Sequence, residues 1–272
     1  MQKTSANLPQ RFTNEKLGEH WQVTSDERSF ELLEKHISST TNFKRFFNIS
    51  IDKAFAAIVA NNKSNLNTEN QKLKIIDLGC GIGWTTALLA KRQNIDKIYA
   101  VEPNTQRRNR IKSVLKHYQA NTKNITIING HFSNFGVDDK VDLIIMCASF
   151  HHCTEDLMDT LLDNLKNNLK PNGMILLANE HYVDKIWIAR RIIRWLITPN
   201  KKQLYFGPGN WNAPYPIDNE HWRTKKQIKS IFEKDFNVYL TSLPGDLCND
   251  KPYFFQKYGW HYYYAILTKR KA

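Results

Sequence analysis

The chain contains no uninterrupted apolar run long enough to cross a bilayer, and its opening Met1-Gln2-Lys3-Thr4-Ser5-Ala6-Asn7 has no apolar signal core. Both absences lead to the expectation of a cytoplasmic protein. Cysteine is scarce. Cys80, Cys147, Cys153 and Cys248 form no CxxC pair and show no metal-ligand spacing, so they read as reduced thiols. Acidic residues are in deficit, 26 Asp+Glu against 39 Lys+Arg, for a formal net charge of +13. Such a surplus favours an anionic partner such as nucleic acid, phospholipid or an acidic metabolite. The lysines are nevertheless spread along the chain, as on an ordinary solvated basic surface. With 272 residues, 41% of them hydrophobic, the chain is expected to hold one large α/β domain with an appendage or lid rather than two full domains.

Glycine is also sparse at 11 residues, yet three fall in the stretch Asp77-Leu78-Gly79-Cys80-Gly81-Ile82-Gly83-Trp84. The apolar run Lys74-Ile75-Ile76 before it and Thr85-Thr86-Ala87-Leu88-Leu89-Ala90 after it read as a buried strand turning tightly into a helix. Glycine permits both the turn and the close approach of a ligand, and the first N–H groups of the helix face whatever lies above the turn. The next strand, Lys97-Ile98-Tyr99-Ala100-Val101, ends in Glu102-Pro103-Asn104, about twenty residues beyond the glycines. Nucleotide-binding α/β folds receive ribose hydroxyls on an acid at this spacing, and an ionised carboxylate accepts both hydroxyls of a vicinal diol. Turn and acid together imply a nucleoside.

The third glycine of the dinucleotide fingerprint is missing, because Trp84 occupies its position. Asp77-Leu78-Gly79-Cys80-Gly81-Ile82-Gly83 instead resembles the first motif of the class I S-adenosylmethionine-dependent methyltransferases, and Val101-Glu102-Pro103 resembles their second. The resemblance implies that S-adenosylmethionine is the cofactor and S-adenosylhomocysteine the product. It further implies that Asp77 and the Gly79, Gly81 and Gly83 turn hold the methionine end, that Glu102 holds the ribose, and that Gly130, His131 and Phe132 form the adenine side. Cys80, Pro103 and Cys147 complete the expected cofactor-binding set. In the family an acid usually stands where this chain has His131. A neutral imidazole still accepts one bond there, with Phe132 against the purine.

Residues 1–72 show helical spacing in Phe30, Leu32, Leu33 and Ile37 and again in Ile51, Ala54, Phe55, Ile58 and Val59, which predicts a helical N-terminal cap closed by a polar, Asn-rich linker. In the resembled family such helices often fold over cofactor and substrate, which would give Trp21 or Arg28 a role; packing is the alternative. Residues 73–272 then form the methyltransferase domain. Its strands are expected at about Leu73 to Leu78, Lys97 to Val101, Ile125 to Ile128, Val141 to Cys147 and Met174 to Ala178. Helices are expected at about Thr85 to Arg92, Thr105 to Tyr118 and Glu155 to Leu169, with Lys170-Pro171-Asn172-Gly173 as a turn. Continuous apolar strands alternating with helices predict a doubly wound α/β fold. Phe236 to Leu240 and His261 to Leu267 look like the antiparallel pair that closes the family's seven-stranded, mostly parallel sheet in the order 3-2-1-4-5-7-6.

Ligands in such sheets sit above the carboxyl ends of the strands. After strand four comes Cys147-Ala148-Ser149-Phe150-His151-His152-Cys153. It lacks the Asn/Asp-Pro-Pro-aromatic motif of enzymes that methylate exocyclic amines of bases, and it lacks the Pro-Cys pair of the cytosine-C5 enzymes, so no DNA partner is expected. Methyl transfer from a sulfonium needs alignment and, for a hydroxyl acceptor, removal of a proton. His151 or His152 is the candidate base or orienting group, with a structural histidine pair as the alternative reading. Asn179-Glu180-His181 offers too little for a divalent metal, so none is expected.

Residues 181–222 form the expected lid, in which Lys185 to Ile197 places Arg190, Arg191 and Arg194 on one helical side and Ile186, Ala189, Ile193 and Ile197 on the other. That helix reads as part of a lid over an acidic or ring-containing small-molecule acceptor, as a membrane-surface helix, or as a cover for the sheet. The reading that emerges is methyl transfer to an O or N nucleophile of a small molecule. RNA or protein as acceptor and a non-catalytic cofactor-binding scaffold stand as the alternatives.

Overall fold

The computed structural model describes residues 41–62, 72–182, 189, 193, 206–207, 210–211, 223–242 and 261–270. Seven strands, β1 (Leu73–Leu78), β2 (Ile95–Val101), β3 (Ile125–Ile128), β4 (Val141–Cys147), β5 (Leu169–Tyr182), β6 (Phe236–Ser242) and β7 (His261–Lys269), form one sheet. Their order is β3-β2-β1-β4-β5-β7-β6. β1 to β5 pair in parallel, and β7 is antiparallel to both β5 and β6. Order and closing strand are those expected from the motif resemblance. Phe206–Gly207 and Asn210–Trp211 make a separate two-residue antiparallel pair.

The helices are α1 (Thr41–Asn62), α2 (Trp84–Leu89), α3 (Thr105–His117), α4 (Met158–Asn168) and α5 (Lys225–Phe232). Side chains alternate between the two faces of a strand, and here both faces are apolar. Ile76, Leu78, Ile144, Met146, Ile175 and Leu177 enter one core layer with Leu161 and Leu165 of α4 and Ile228 and Phe232 of α5. Leu73, Ile75, Leu143, Ile145, Met174 and Leu176 enter the other with Phe47, Ile51 and Ile58 of α1. Each large apolar side chain buried in this way stabilises the fold by roughly 1.5–3 kcal/mol. Burial on both faces is why the strands read as continuous apolar runs.

The segment expected as the second half of an N-terminal cap is therefore a layer of the domain core, packed across β5. Of its expected apolar face, Ile51, Ala54 and Ile58 are buried while Val59 is exposed. The run Phe30 to Ile37, with Trp21 and Arg28, lies outside the described residues, as does Cys248.

The fourth helix is preceded by a 3-10 turn (Glu155–Leu157) and ends at Asn168, one residue earlier than expected. Leu169 already pairs with Val141, and Met174 pairs with Leu143. Five residues of β5 thus match two of β4, so the expected Lys170 to Gly173 turn persists as a bulge inside the strand. A side chain at Gly173 would meet the Val141 carbonyl at 3.0 Å. β5 also continues past Ala178 through a second irregularity opposite β7, between Leu177 and Glu180, where Asn179 takes φ 52°.

α5 was not expected from periodicity. Its start is marked by a capping box, in which Thr224 accepts the Gln227 N–H and the Gln227 side chain accepts the Thr224 N–H. The signal Thr224-Lys225-Lys226-Gln227 was present in the sequence. Within the expected basic helix, Ala189 and Ile193 are described, both helical and both exposed; the rest of that run lies outside the described residues. Among the described residues no helix is long and apolar enough to cross a membrane.

Candidate active site

The three glycines after β1 all take positive φ, 72°, 57° and 87° for Gly79, Gly81 and Gly83, but their surroundings differ. A Cβ on Gly79 would lie 2.7 Å from Ser149 Cβ, and one on Gly83 would lie 2.8 Å from Ile111 Cγ2. These two glycines let the turn press against the loop after β4 and against α3. A Cβ on Gly81 would meet nothing within 4 Å among the described residues. Gly79 N–H and Cys80 N–H both donate to the Val101 carbonyl, tying the tip of β1 to that of β2. Trp84 sets its ring edge-on to Phe47 with centroids 5.7 Å apart, an apolar link between α2 and α1.

Asp77 is buried, with Oδ2 accepting the hydroxyls of Thr85 and Thr86, each at 2.6 Å. Its Oδ1 is buried without a hydrogen-bond partner among the described residues. Burial pushes the Asp77 carboxyl up to about 6, against the opposing pull of the two threonine hydroxyls. Glu102, at the end of β2, accepts the Gly81 N–H on Oε2 at 2.9 Å and the Asn104 N–H on Oε1 at 3.0 Å. Each oxygen keeps a lone pair for a further donor. Burial raises Glu102 as well, opposed by Arg107 and by the two N–H groups. Arg108 braces this corner, donating through Nη1 to the Glu102 carbonyl and to Asn129 Oδ1, both at 2.8 Å. The Pro103 carbonyl accepts from the same nitrogen.

Beyond β4, Ser149 Oγ donates to the Leu78 carbonyl at 2.8 Å, which locks the loop to the tip of β1. Phe150–His152 form a 3-10 turn. Glu180 on β5, fully buried, accepts the N–H groups of Ser149 and Phe150 at 2.7 Å on Oε1. On Oε2 it accepts the His151 N–H at 3.3 Å and faces His151 Nδ1 at 2.9 Å. The His151 and His152 rings lie 4.1 Å apart, centroid to centroid. Buried Arg223 lies over the Phe150 ring at 5.0 Å, donates to the Cys153 carbonyl at 2.7 Å and pairs with Glu155 at 2.8 Å.

Residues 75–173, which include the glycine turn, Glu102 and the histidine loop, match the family described as Methyltransferase domain. This chain carries a class I S-adenosylmethionine-dependent methyltransferase domain. It is similar to an uncharacterized methyltransferase of Bacillus cytotoxicus, 29% identical over 172 residues that cover 62% of this chain and 72% of the relative. It is also similar to the ubiquinone biosynthesis O-methyltransferase of Rickettsia conorii, 26% identical over 61% of this chain and 55% of that one. Among solved structures, the plantazolicin methyltransferase BpumL, in complex with a pentazolic desmethylPZN analog and SAH, shares the fold at a TM-score of 0.51. That likeness has 14% identity over 95% of this chain and 97% of the other.

The residues of the methyltransferase domain suit its cofactor. Gly81 leaves room, Asp77 Oδ1 lacks a donor, and both oxygens of Glu102 can accept a hydroxyl. The other expected cofactor residues occupy different surroundings. Cys80 and Cys147 are buried thiols, both raised well above the ordinary range by burial. Gly130 is crowded rather than open: a Cβ there would overlap the Phe135 carbonyl and meet Val101 Cγ1 at 2.6 Å. Its glycine is accounted for by the close approach of this loop to β2. Phe132 packs in the buried cluster that holds Phe135, Val101 and Met158. His131 Nδ1 accepts the Ser133 N–H at 3.2 Å, so the neutral ring carries its proton on Nε2 and presents a donor there, where the sequence led to the expectation of an acceptor.

Thr85, Thr86, Arg108, Ser149, Glu180 and Arg223 were not singled out as site residues from sequence. A usable signal existed for Glu180, an acid just past the apolar end of strand five, the same cue that marked Glu102 on strand two.

Proposed function

We propose that this methyltransferase acts on a small-molecule acceptor at an oxygen or nitrogen nucleophile, with His151 as the base or orienting group. Bound S-adenosylmethionine supplies an electrophilic methyl group. The chain supplies a grip on the cofactor's amino-acid end through Asp77, a grip on the ribose through Glu102, and a histidine on the loop whose Ser149 bonds the tip of β1. The observation that carries the reading is the 2.9 Å contact between His151 Nδ1 and the buried Glu180, two residues beyond Ser149, which itself touches the glycine turn. His151 is the better placed of the two histidines, being buried and held, while His152 is half-buried and packs on its ring. The absence of an Asn/Asp-Pro-Pro-aromatic motif after β4 argues against a base amine in nucleic acid.

The insertion that follows β5 then selects an acidic or ring-containing acceptor. Cys80, Cys147 and Cys153, all buried and free, suit a cytoplasmic setting. The basic balance of +13 favours a second reading, RNA or protein as the acceptor. Incubation with methyl-labelled S-adenosylmethionine and separated low-molecular-weight, RNA and protein fractions of a cell extract tests the choice. Label in the small-molecule fraction supports the proposal, and label confined to RNA or protein overturns it.

A further inference from the structure

We infer that Glu180 is the positioning residue that holds His151 in one tautomer, with the proton on Nδ1 and the lone pair on Nε2. This rests on the reading of His151 as the base and adds the group that makes it one. Glu180 is fully buried, and its two oxygens receive three backbone N–H groups, from Ser149, Phe150 and His151. Each of these donors needs an acceptor lone pair, which a carboxylate supplies and a carboxylic acid supplies less well. The Nδ1 facing the same carboxylate at 2.9 Å therefore carries hydrogen. In a neutral ring that leaves Nε2 as the acceptor nitrogen.

The backbone on both sides of the contact supports a built arrangement. Ala148, the residue before Ser149, takes φ 51°, and Asn179, the residue before Glu180, takes φ 52°. Left-handed backbone is uncommon at a residue such as Ala148, while asparagine adopts it more readily at position 179. One turn directs the chain after β4 toward Glu180. The other, within the β5 irregularity, re-aims Glu180 toward that chain. Arg223 holds the far end of the same 3-10 turn through the Phe150 ring and the Cys153 carbonyl.

The chemistry served is an acceptor that must lose a proton, which makes a hydroxyl group the matching class. The hydroxyl proton passes to His151 Nε2 and Glu180 balances the resulting imidazolium charge. The acceptor oxygen bonds the methyl carbon as the carbon–sulfur bond breaks, its electron pair remaining on sulfur.

The test is nitrogen NMR of the His151 ring in the full chain at about pH 8, above the ordinary imidazole range, with the resonance assigned by its loss in His151→Asn. The expected result is a protonated Nδ1 and a bare, pyridine-like Nε2. A ring protonated on Nε2 alone, or on both nitrogens, overturns the inference without need of any variant. In Glu180→Gln an amide oxygen in the place of Oε1 still accepts the Ser149 and Phe150 N–H groups, while the amide nitrogen in the place of Oε2 loses the His151 N–H and presents hydrogen to Nδ1. The tautomer is then expected to invert while S-adenosylhomocysteine affinity by calorimetry stays within about threefold. An unchanged tautomer in a folded Glu180→Gln protein also overturns it. If His151→Asn keeps full turnover on the fraction that accepts label, the base reading fails even with the NMR result intact, so the two failures are distinguishable.

Discussion

Glu102 accepts the N–H of Gly81 at 2.9 Å, so the acid at the tip of β2 holds in place the one glycine of the turn whose Cβ position has no neighbour within 4 Å among the described residues. The residues are 21 apart in sequence, and this bond joins the two motifs into one structural unit. Loss of Glu102 should therefore remove ribose contacts and loosen the turn together. Glu102→Ala is expected to weaken S-adenosylhomocysteine binding about ten- to a hundredfold, as for loss of one or two hydrogen bonds to a charged group. Glu102→Gln, which retains one acceptor, should fall between. Calorimetry showing wild-type affinity in Glu102→Ala would contradict this role.

Asp77 should make both stability and cofactor binding depend on pH. Burial raises its folded pKa from 3.8 to about 6, so between these values the folded chain holds a proton that the unfolded chain has released. Stability of the cofactor-free protein from this group is therefore highest below about 4 and falls as pH rises toward 6, by up to about 3 kcal/mol. Cofactor binding should follow the opposite course, tightening as pH rises through about 6, because only the ionised carboxylate attracts an ammonium group. Asp77→Asn is expected to flatten both profiles in denaturant melts and calorimetry. Retention of both slopes in that variant would assign them to another group.

Gly81 and Gly130 should separate binding from folding. Alanine at Gly81 meets no atom of the described residues but must adopt φ near 57°, so a stability loss of about 1–2 kcal/mol is expected together with a pronounced loss of cofactor affinity. Alanine at Gly130 would strike the Phe135 carbonyl and Val101, and overpacking of that kind costs about 1–3 kcal/mol. Its melting temperature should fall while the residual folded protein binds cofactor nearly normally. A selective affinity loss in Gly130→Ala would restore that glycine to the cofactor site.

The two histidines should differ in the reaction. His151→Asn is expected to lower kcat about 10²–10⁴-fold with S-adenosylhomocysteine affinity preserved, and His152→Asn should cost far less. Rates measured on whichever fraction takes up labelled methyl would expose an equal effect, which would return the pair to a structural role.

The parts of the fold legible in sequence were those governed by local chemistry. β1 and β4 begin and end where expected because burial on both faces demands largely apolar runs, the half-buried edge strand β3 is marked by its β-branched residues, and the glycine turn and Glu102 were legible because positive φ and a strand-tip acid restrict residue type. β5 is longer than its local pattern indicates because pairing with β4 and β7 overrides the turn preference of Lys170 to Gly173. α5 is marked at its start by Thr224 and Gln227.

What residue order alone determined is the glycine turn and the strand-tip acid beside it, since a backbone conformation open mainly to glycine and a nearby carboxylate are properties of short segments. Tertiary structure alone decided that Gly130 is crowded rather than open, and that His151 is served by Glu180. Those partners lie 29 residues apart on different strand ends, and they meet only because parallel pairing of β4 with β5 and two left-handed backbone turns carry them to one point. No local pattern encodes a contact made by sheet register.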